Sequence, residues 1–218
     1  FAAWRKQPGR KLEVLQNWLG APANAPSTIV VGDTALAGRK VFVYAGNMGV
    51  AQGMGILLDL AERMRNREDV GFLFVGRGSD AQRLRDDAKA RGLDKVLFRD
   101  EIHPDEIPNL YAQCHVGLVA LDPRHKTHNI PGKFLTYMQS GLPVLASVNP
   151  GNDLVGLIEQ ERVGHASVDA SADSLAKAAG ELVDSLSADL GYASRCKALS
   201  ARLFSAETAV RQIVAALS

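Results

Sequence analysis

Cysteine and net charge are both scarce in this sequence. Cys114 and Cys196 are the only two cysteines in 218 residues, too few for a disulfide framework or a zinc cluster, and they indicate reduced thiols of a cytosolic protein. The 25 Lys and Arg residues nearly balance the 24 Asp and Glu residues, giving a formal net charge of +1. We therefore expect no metal site and no nonspecific nucleic-acid binding, so any anion site must be local.

Long apolar runs are also absent. No run reaches the roughly 18 apolar residues that a membrane span needs, and nothing near the start resembles a signal peptide. The chain begins at Phe1 rather than Met, so we expect a fragment of a longer protein. Hydrophobic residues still make up 46% of the chain, which argues against disorder and is enough for the core of one domain.

Short apolar runs alternate with helical-length stretches from residue 40 onward, a pattern typical of βα units around a parallel sheet. Because each run is apolar on both faces, we expect helices on both sides of the sheet. The predicted fold is α/β, a doubly wound Rossmann-like parallel sheet of about six strands. The predicted strands are Val41–Tyr44, Phe72–Val75, Val96–Phe98, Val116–Ala120, Pro143–Ser147 and Ala166–Val168, and the predicted helices cover residues 51–66, 80–91, 105–113, 131–140 and 153–161.

Composition divides the chain into three parts. Residues 1–39 combine a basic start with Gly and Pro residues, and we interpret them as an interdomain linker and entry segment. Residues 40–170 hold the βα units. Residues 171–218 are predicted to form C-terminal helices that pack on the domain, the last of them starting at Ser205. That last helix carries a stripe of apolar side chains: Ala209, Val210, Ile213, Val214 and Leu217.

In an open parallel sheet the ligand lies beyond the carboxyl ends of the strands, so the loops after the strands matter most. The first loop, residues 46–55, reads GNMGVAQGMG and runs straight into a helix. Its small residues would let backbone N–H groups approach an anion, and the helix N-terminus would add a favourable dipole. A tight turn that needs glycine for its geometry alone is the competing interpretation.

The second loop, Gly76–Ala81, matches the G-x-G-x-x-A pattern of a dinucleotide-binding turn. Asp100 ends the following strand, about where a ribose-binding acid would belong. An NAD(P)-dependent oxidoreductase domain is therefore an alternative, although a complete βα unit precedes this loop and the pattern usually opens the domain.

An acid-free stretch of thirty residues follows Asp122. It holds Arg124, Lys126 and Lys133, and Pro131 and Gly132 open a helix whose first turn carries Lys133. Two acid-free loops at one sheet edge favour a pyrophosphate site, with the helix dipole and the ammonium acting on one phosphate. The competing interpretation is that these cations are solvated surface charges.

Four blocks in order carry a family resemblance: YAGNMGVAQGM, FLFVGRGSD, VLFRDEIHPDEIPNLYAQCHVGLVAL and NIPGKFLTYMQSGLPVLAS. From about Asn17 to its end, the chain resembles the C-terminal, donor-binding half of group 1 retaining glycosyltransferases of GT-B fold. It is most similar to bacterial enzymes that build O-antigen and related surface polysaccharides, including N-acetyl-fucosamine transferases.

The resemblance implies transfer of a sugar from a nucleotide-sugar donor, preferably a UDP-N-acetyl-amino sugar, to a lipid-linked or saccharide acceptor, with retention at the anomeric carbon. It implies no metal and no further cofactor, because the donor is itself a substrate. It also implies a cytoplasmic enzyme at the inner membrane face, whose own N-terminal domain holds the acceptor and is missing from this chain. The isolated chain should then bind donor without turnover.

Carried over by position, the resemblance assigns stabilisation of the donor diphosphate to Lys133 and places Ile102 and His103 beside the base. Thr136 would lie near the ribose. The substrate-binding residues implied in this way are Gly46, Asn47, Gly49, Gln52, Gly76, Arg77, Gly78, Ile102, His128, Asn129, Ile130, Pro131, Gly132 and Thr136.

The sequence departs from many relatives at four of these positions. His128 and Thr136 stand where a Glu-x7-Glu pair is common, and Asn47 and Gln52 replace an Arg and a Lys of the first loop. We therefore expect Lys133, with Arg124 or Lys126, to be the main phosphate partner. A noncatalytic nucleotide-sugar-binding module and a non-hydrolysing sugar-nucleotide epimerase remain alternatives.

Overall fold

The computed structural model describes residues 13–122, 124 and 130–217. The six strands of this part of the chain form one parallel sheet in the order β3-β2-β1-β4-β5-β6. They are β1 (Lys40–Ala45), β2 (Val70–Val75), β3 (Val96–Arg99), β4 (Val116–Ala120), β5 (Val144–Ser147) and β6 (Gly164–Ser167). The helices are α1 (Gly55–Arg63), α2 (Ala81–Ala90), α3 (Ile107–Tyr111), α4 (Gly132–Ser140), α5 (Asp153–Glu161), α6 (Ala172–Leu186), α7 (Tyr192–Leu203) and α8 (Ala206–Leu217).

Alternate residues of β1 to β5 enter two separate cores, one on each face of the sheet. Val41 and Val43 of β1 face the side covered by α4, α5 and α7, where Phe134 and Leu154 pack. Phe42 and Tyr44 face the side covered by α1, α2 and α6. The predicted doubly wound sheet with helices on both faces is confirmed.

Helix α1 starts later than the sequence pattern predicts. The predicted helix begins at residue 51, but Val50–Gln52 forms a single 3-10 turn and Gly53 adopts a left-handed conformation with φ of 57°. Gly53 also packs so tightly against the backbone of Asp122 that an ideal Cβ would lie 2.8 Å from the Asp122 Cα. The predicted helix start at residue 51 was wrong, because this turn is part of the first loop, which runs into α1 at Gly55.

The order of the strands in the sheet reverses direction between β1 and β4. The chain adds β2 and β3 on one side of β1 and then adds β4, β5 and β6 on its other side. Loops after such neighbouring strands diverge and leave a crevice at the carboxyl edge of the sheet. The fold thus places the first loop, the second loop and the N-terminus of α4 at one edge.

The segment before β1 is tied to the domain by hydrogen bonds. Leu19 forms a bridge with Ser205, and its N–H donates to the Phe204 carbonyl at 2.8 Å. Further along, the Val31 N–H donates to the Gln113 side chain at 2.8 Å. The proposed linker role of residues 1–39 stays a prediction, and residues 1–12 lie outside the described part.

The last helix, α8, begins at Ala206 rather than at Ser205, because the Ser205 hydroxyl accepts from the Thr208 N–H and caps the first turn. Of its apolar stripe, Ala209 is buried, whereas Val210 and Ile213 are exposed. Within the described ranges, no helix is long and apolar enough to cross a membrane.

Candidate functional site

A cavity of about 700 Å³ opens at the carboxyl edge of the sheet. We call it the edge cavity. Its walls come from the ends of β1 and β2, the two loops that follow them, the segment after β3, helix α3 and the first turns of α4. The lining residues are Ala45, Gly46, Asn47, Val75, Gly76, Arg77, Glu101, Ile102, Pro104, Ile107, Tyr111, Lys133 and Thr136.

Seven of the residues predicted for the site line this one cavity although they lie up to 90 positions apart in sequence. They are Gly46, Asn47, Gly76, Arg77, Ile102, Lys133 and Thr136. Because the cavity joins residues of all four sequence blocks, the geometry agrees with a shared site. The binding role of each residue stays a prediction.

Lys133 is the cation most closely built into the cavity. It sits in the first turn of α4, and its Nζ lies 4.0 Å from the position that a Cβ on Gly46 would occupy. Burial lowers the pKa of its amine to about 8. No described carboxylate forms an ion pair with Lys133, so its charge lacks the compensation that buried cations usually have.

Tyr44 is the residue of this site that the sequence analysis missed. The Lys133 Nζ donates to the Tyr44 hydroxyl at 3.2 Å and also lies 4.4 Å from the centre of its ring. Burial raises the pKa of Tyr44, which stays a neutral phenol. Its signal was a polar hydroxyl on the second-to-last residue of a mostly apolar strand, two positions before the first glycine of the first loop.

The first and second loops support each other through backbone contacts. The Gly46 N–H donates to the Val75 carbonyl at 2.9 Å, and the Met48 N–H donates to the Arg77 carbonyl at 2.8 Å. An ideal Cβ on Gly76 would overlap the Gly46 carbonyl oxygen. The glycine at position 76 is therefore required by packing between the loops, whatever ligand the cavity takes.

Arg77 and Glu101 form an ion pair across the cavity mouth, with 2.6 Å between Nε and Oε2. Both side chains are more than half exposed, so the pair contributes little to stability. The position of the pair still matters. The Glu101 carboxylate would repel an anionic ligand in the cavity, and it also pairs with the Arg77 guanidinium, which could otherwise bind such a ligand. The first and fourth sequence blocks predicted a sheet edge without acidic residues, but Glu101 from the third block also lies at this edge.

The remaining predicted residues lie beside the cavity rather than in its lining. The Gln52 side chain accepts from the Gly49 N–H at 3.0 Å and from the Asn47 amide at 3.1 Å, which holds the first loop in shape. Pro131 occupies the N-cap position of α4, and Gly132 follows it as the first helical residue. Two more, Gly78 and Ile130, pack behind the site. The predicted substrate contacts of these residues remain untested.

Some predicted residues fall outside the described part, and others point elsewhere. His128 and Asn129 are not described, nor is Lys126. His103, expected beside the base, is exposed and instead caps a 3-10 turn by accepting from the Asp105 N–H.

Arg124 does not reach the edge cavity, which corrects its expected role as a phosphate partner of Lys133. Its guanidinium donates to both oxygens of the buried Asp122 carboxylate, at 2.9 and 2.7 Å, in a separate depression beside α1. This pairing satisfies the cation within the protein, and among the described residues Lys133 and Arg77 are the cations that line the cavity.

The dinucleotide alternative fits the second loop poorly. Asp100, its expected ribose ligand, is almost fully exposed and pairs with Arg85 at 2.8 Å. Gly78 is wedged against Met48 rather than open to a ligand. Across residues 13–122, 124 and 130–217, no group of three or more His, Cys, Asp and Glu side chains is arranged to hold a metal ion.

The family model described as "Glycosyl transferases group 1" matches residues 39–185, which is more than half of the chain. The chain belongs to the group 1 glycosyltransferases. The matched range contains every residue that lines the edge cavity.

Among curated glycosyltransferases, WbjE from Pseudomonas aeruginosa is 25% identical over 127 residues, which cover 58% of this chain and 32% of WbjE. WcaI from Escherichia coli K12, whose name assigns it to colanic acid biosynthesis, is 34% identical over 80 residues, 36% of this chain and 19% of WcaI. The chain therefore spans about a third or less of the length of these relatives.

Several solved structures share the fold. HepE from Anabaena, crystallised in complex with UDP, superposes with a TM-score of 0.70 at 19% identity, covering 84% of this chain and 49% of HepE. TarM from S. aureus superposes with a TM-score of 0.72 at 14% identity, covering 96% of this chain and 40% of TarM. The group 1 domain therefore has the architecture of one half of a GT-B enzyme.

Proposed function

We propose that this chain is the donor-binding half of a retaining glycosyltransferase and that the edge cavity holds a UDP-sugar. The observation that carries the proposal is Lys133, a partly buried amine without an ion-pair partner among the described carboxylates, in a cavity of nucleotide size. HepE, which has the same fold, was solved with UDP and with UDP-glucose.

The chemistry requires stabilisation of the negative charge that develops on the diphosphate as the sugar leaves. Lys133 and the N-terminus of α4 supply fixed positive charge at the edge of the cavity. The absence of a side chain at Gly46 leaves space beside the Lys133 Nζ for the diphosphate to approach the backbone. This arrangement stabilises the leaving group with no metal and no cofactor beyond the donor, and the acceptor hydroxyl attacks from the face of the departing phosphate, with retention.

We propose that Thr136, which stands where many relatives carry a Glu, contacts the ribose. Thr136 offers one hydroxyl, which donates to the Gly132 carbonyl at 3.4 Å. A long bond of this kind is easily exchanged for one to a ribose hydroxyl. Ile102 and Ile107 provide apolar surface for the base on the same wall.

The acceptor side belongs to a second domain. We propose that an N-terminal domain of the complete protein holds the acceptor and covers the exposed apolar face of α8 at Val210 and Ile213. Because WcaI is named for colanic acid biosynthesis, we propose a surface polysaccharide such as O-antigen as the product. A lipid-linked acceptor at the cytoplasmic face of the inner membrane, with a UDP-N-acetyl-amino sugar as donor, fits such a product.

Isothermal titration with UDP, GDP, ADP and NAD tests the proposal. We expect selective binding of UDP and a loss of at least about tenfold in affinity in Lys133→Ala, because one charge-assisted phosphate contact disappears. Lys177→Ala is the matched control, since Lys177 is an exposed lysine of α6 that pairs with Glu181 far from the cavity.

The outcomes separate the alternatives. Binding of GDP would keep the fold and the site but change the donor class. Binding of NAD alone, or a Lys133→Ala variant as tight as Lys177→Ala, would contradict the proposal. UDP binding by a complete protein that transfers no sugar would identify a noncatalytic nucleotide-sugar-binding module.

A further inference from the structure

The Tyr44 hydroxyl has two hydrogen-bond partners at the edge cavity. It donates to the Asn47 carbonyl at 2.6 Å and accepts from the Lys133 Nζ at 3.2 Å. A phenol has one proton to donate, and here that proton is donated to the Asn47 carbonyl of the first loop. The lone pairs of the Tyr44 oxygen therefore accept from the Lys133 amine. One buried atom thereby links the first loop to the first turn of α4.

This link crosses the edge of the sheet. Tyr44 packs in the core on the side of α1 and α2, whereas α4 packs by Phe134 and Leu135 on the opposite side. The Lys133 side chain must therefore reach over the carboxyl end of β1 to meet the tyrosine. A lysine has a flexible four-carbon stem, and the hydroxyl together with the ring face confines its amine to one place.

Among the described residues, few other ionisable groups face this amine. Tyr111 from α3 lines the same cavity, and burial raises the pKa of its phenol, so it is neutral. Tyr137 on α4 is buried and neutral as well. The charged residues of the lining, Arg77 and Glu101, are paired with each other at the mouth.

We propose that Tyr44 is a positioning residue that holds the Lys133 amine and the first loop in one arrangement, ready for the donor diphosphate. This inference rests on the proposed function, because it assigns to Lys133 the phosphate contact. Tyr44 touches neither phosphate nor sugar in this account and acts only through Lys133 and the Asn47 carbonyl.

The variant Tyr44→Phe keeps the ring and removes the hydroxyl. A hydroxyl that accepts from the ammonium favours its charged form, so its loss should lower the Lys133 pKa below the value of about 8. The UDP affinity near pH 7 should then fall about tenfold, and the decline of affinity with rising pH should begin at lower pH.

Tyr137→Phe is the matched control. Tyr137 is also fully buried, and its hydroxyl donates to the Val43 and Leu118 carbonyls at 3.1 Å without contacting Lys133. Both variants remove one buried hydroxyl, so both should reduce the melting temperature. Only Tyr44→Phe should change the titration of Lys133 and the pH profile of UDP binding.

The experiment follows the Lys133 side chain by NMR in chains labelled with ¹³C-lysine, between about pH 6 and 11, and measures UDP binding by titration calorimetry on the same samples. The Lys133 signal is identified by its loss in Lys133→Met. A lowered Lys133 pKa with weakened UDP binding in Tyr44→Phe, and neither change in Tyr137→Phe, is the expected result.

Two contrary results are distinguishable. If wild type binds UDP but Tyr44→Phe and Tyr137→Phe give the same Lys133 pKa and affinity, the positioning role is wrong and the proposed function stands. If wild type binds no UDP, the proposed function fails and this inference fails with it.

Discussion

Gly78 packs against the backbone of Met48 so closely that an ideal Cβ on the glycine would lie 2.4 Å from the Met48 carbonyl oxygen. The same carbonyl accepts from the Asp80 N–H at 2.9 Å. Gly78, the second glycine of the second loop, thus packs against the backbone of the first loop. This packing explains why the second loop has a G-x-G-x-x-A pattern although the chain is a glycosyltransferase domain.

Substitution of this glycine should be costly. Gly78 has a φ of 155°, which residues with a side chain rarely adopt. The space that a Cβ would occupy is filled by the backbone of Met48, which cannot easily move away. We expect Gly78→Ala to lower the free energy of unfolding by about 2–4 kcal/mol in chemical denaturation. Gly156→Ala, in open space within α5, should instead raise it by about 0.5–1 kcal/mol. Equal effects of the two substitutions would contradict the packing argument.

Lys133 should reduce stability in the ligand-free chain. Its pKa is about 8 in the folded state and 10.5 ordinarily, so the unfolded chain binds the proton more tightly. The penalty is fully present below about pH 8 and is relieved as the pH rises toward 10.5. Lys133→Met should therefore be more stable than wild type by about 1–3 kcal/mol at neutral pH, with the difference shrinking above pH 8.

Chemical denaturation at several pH values measures this difference. The same variant should lose UDP binding, so that stability and function change in opposite directions. A Lys133→Met chain that is less stable than wild type at neutral pH would show that the amine has an anionic partner in the free chain.

Glu101 should weaken donor binding. Its carboxylate lines the cavity and engages Arg77, so Glu101→Gln removes a repulsive charge and releases a cation. We expect the UDP affinity to rise about two- to fivefold at low salt, with little change in stability. Glu68→Gln is the control, because Glu68 is similarly exposed but pairs with Lys95 at the other end of the strands. A marked fall in affinity would show that the Glu101 carboxylate itself binds the donor.

Both thiols should be unreactive in the folded chain. Burial raises the pKa of Cys114 and of Cys196 to about 12, so almost no thiolate exists near pH 8. A thiol reagent such as Ellman's should label neither cysteine in buffer and both in concentrated urea. Rapid labelling of the native chain would mean that one of these sites opens readily.

The sequence was sufficient for β1 to β5, because each is a short and mostly apolar run bounded by Gly, Asp or Pro. It placed β6 at Ala166–Val168, whereas the strand spans Gly164–Ser167, because this edge strand is only partly buried and has no apolar run to mark it. It was insufficient for the start of α1. Residues 51–54 have helical character, but the left-handed turn at Gly53 is decided by its close contact with Asp122, which is distant in the chain.

The same limit applies to the site. Lys133 could be predicted because it stands in the first turn of a helix within an acid-free stretch. Tyr44 could not, since a tyrosine in an apolar strand is ordinarily a core residue, and its contact with Lys133 depends on the packing of α4 across the sheet edge. The pairing of Arg124 with Asp122 likewise follows from tertiary structure, because either the carboxylate or a ligand could have satisfied this arginine.

A crystal structure of the chain with bound UDP tests the central claim most directly. We predict that the diphosphate lies in the edge cavity, with a phosphate oxygen about 3 Å from the Lys133 Nζ and the uracil against Ile102. A diphosphate bound elsewhere, for example on Arg124 beside α1, would contradict the assignment of the donor site.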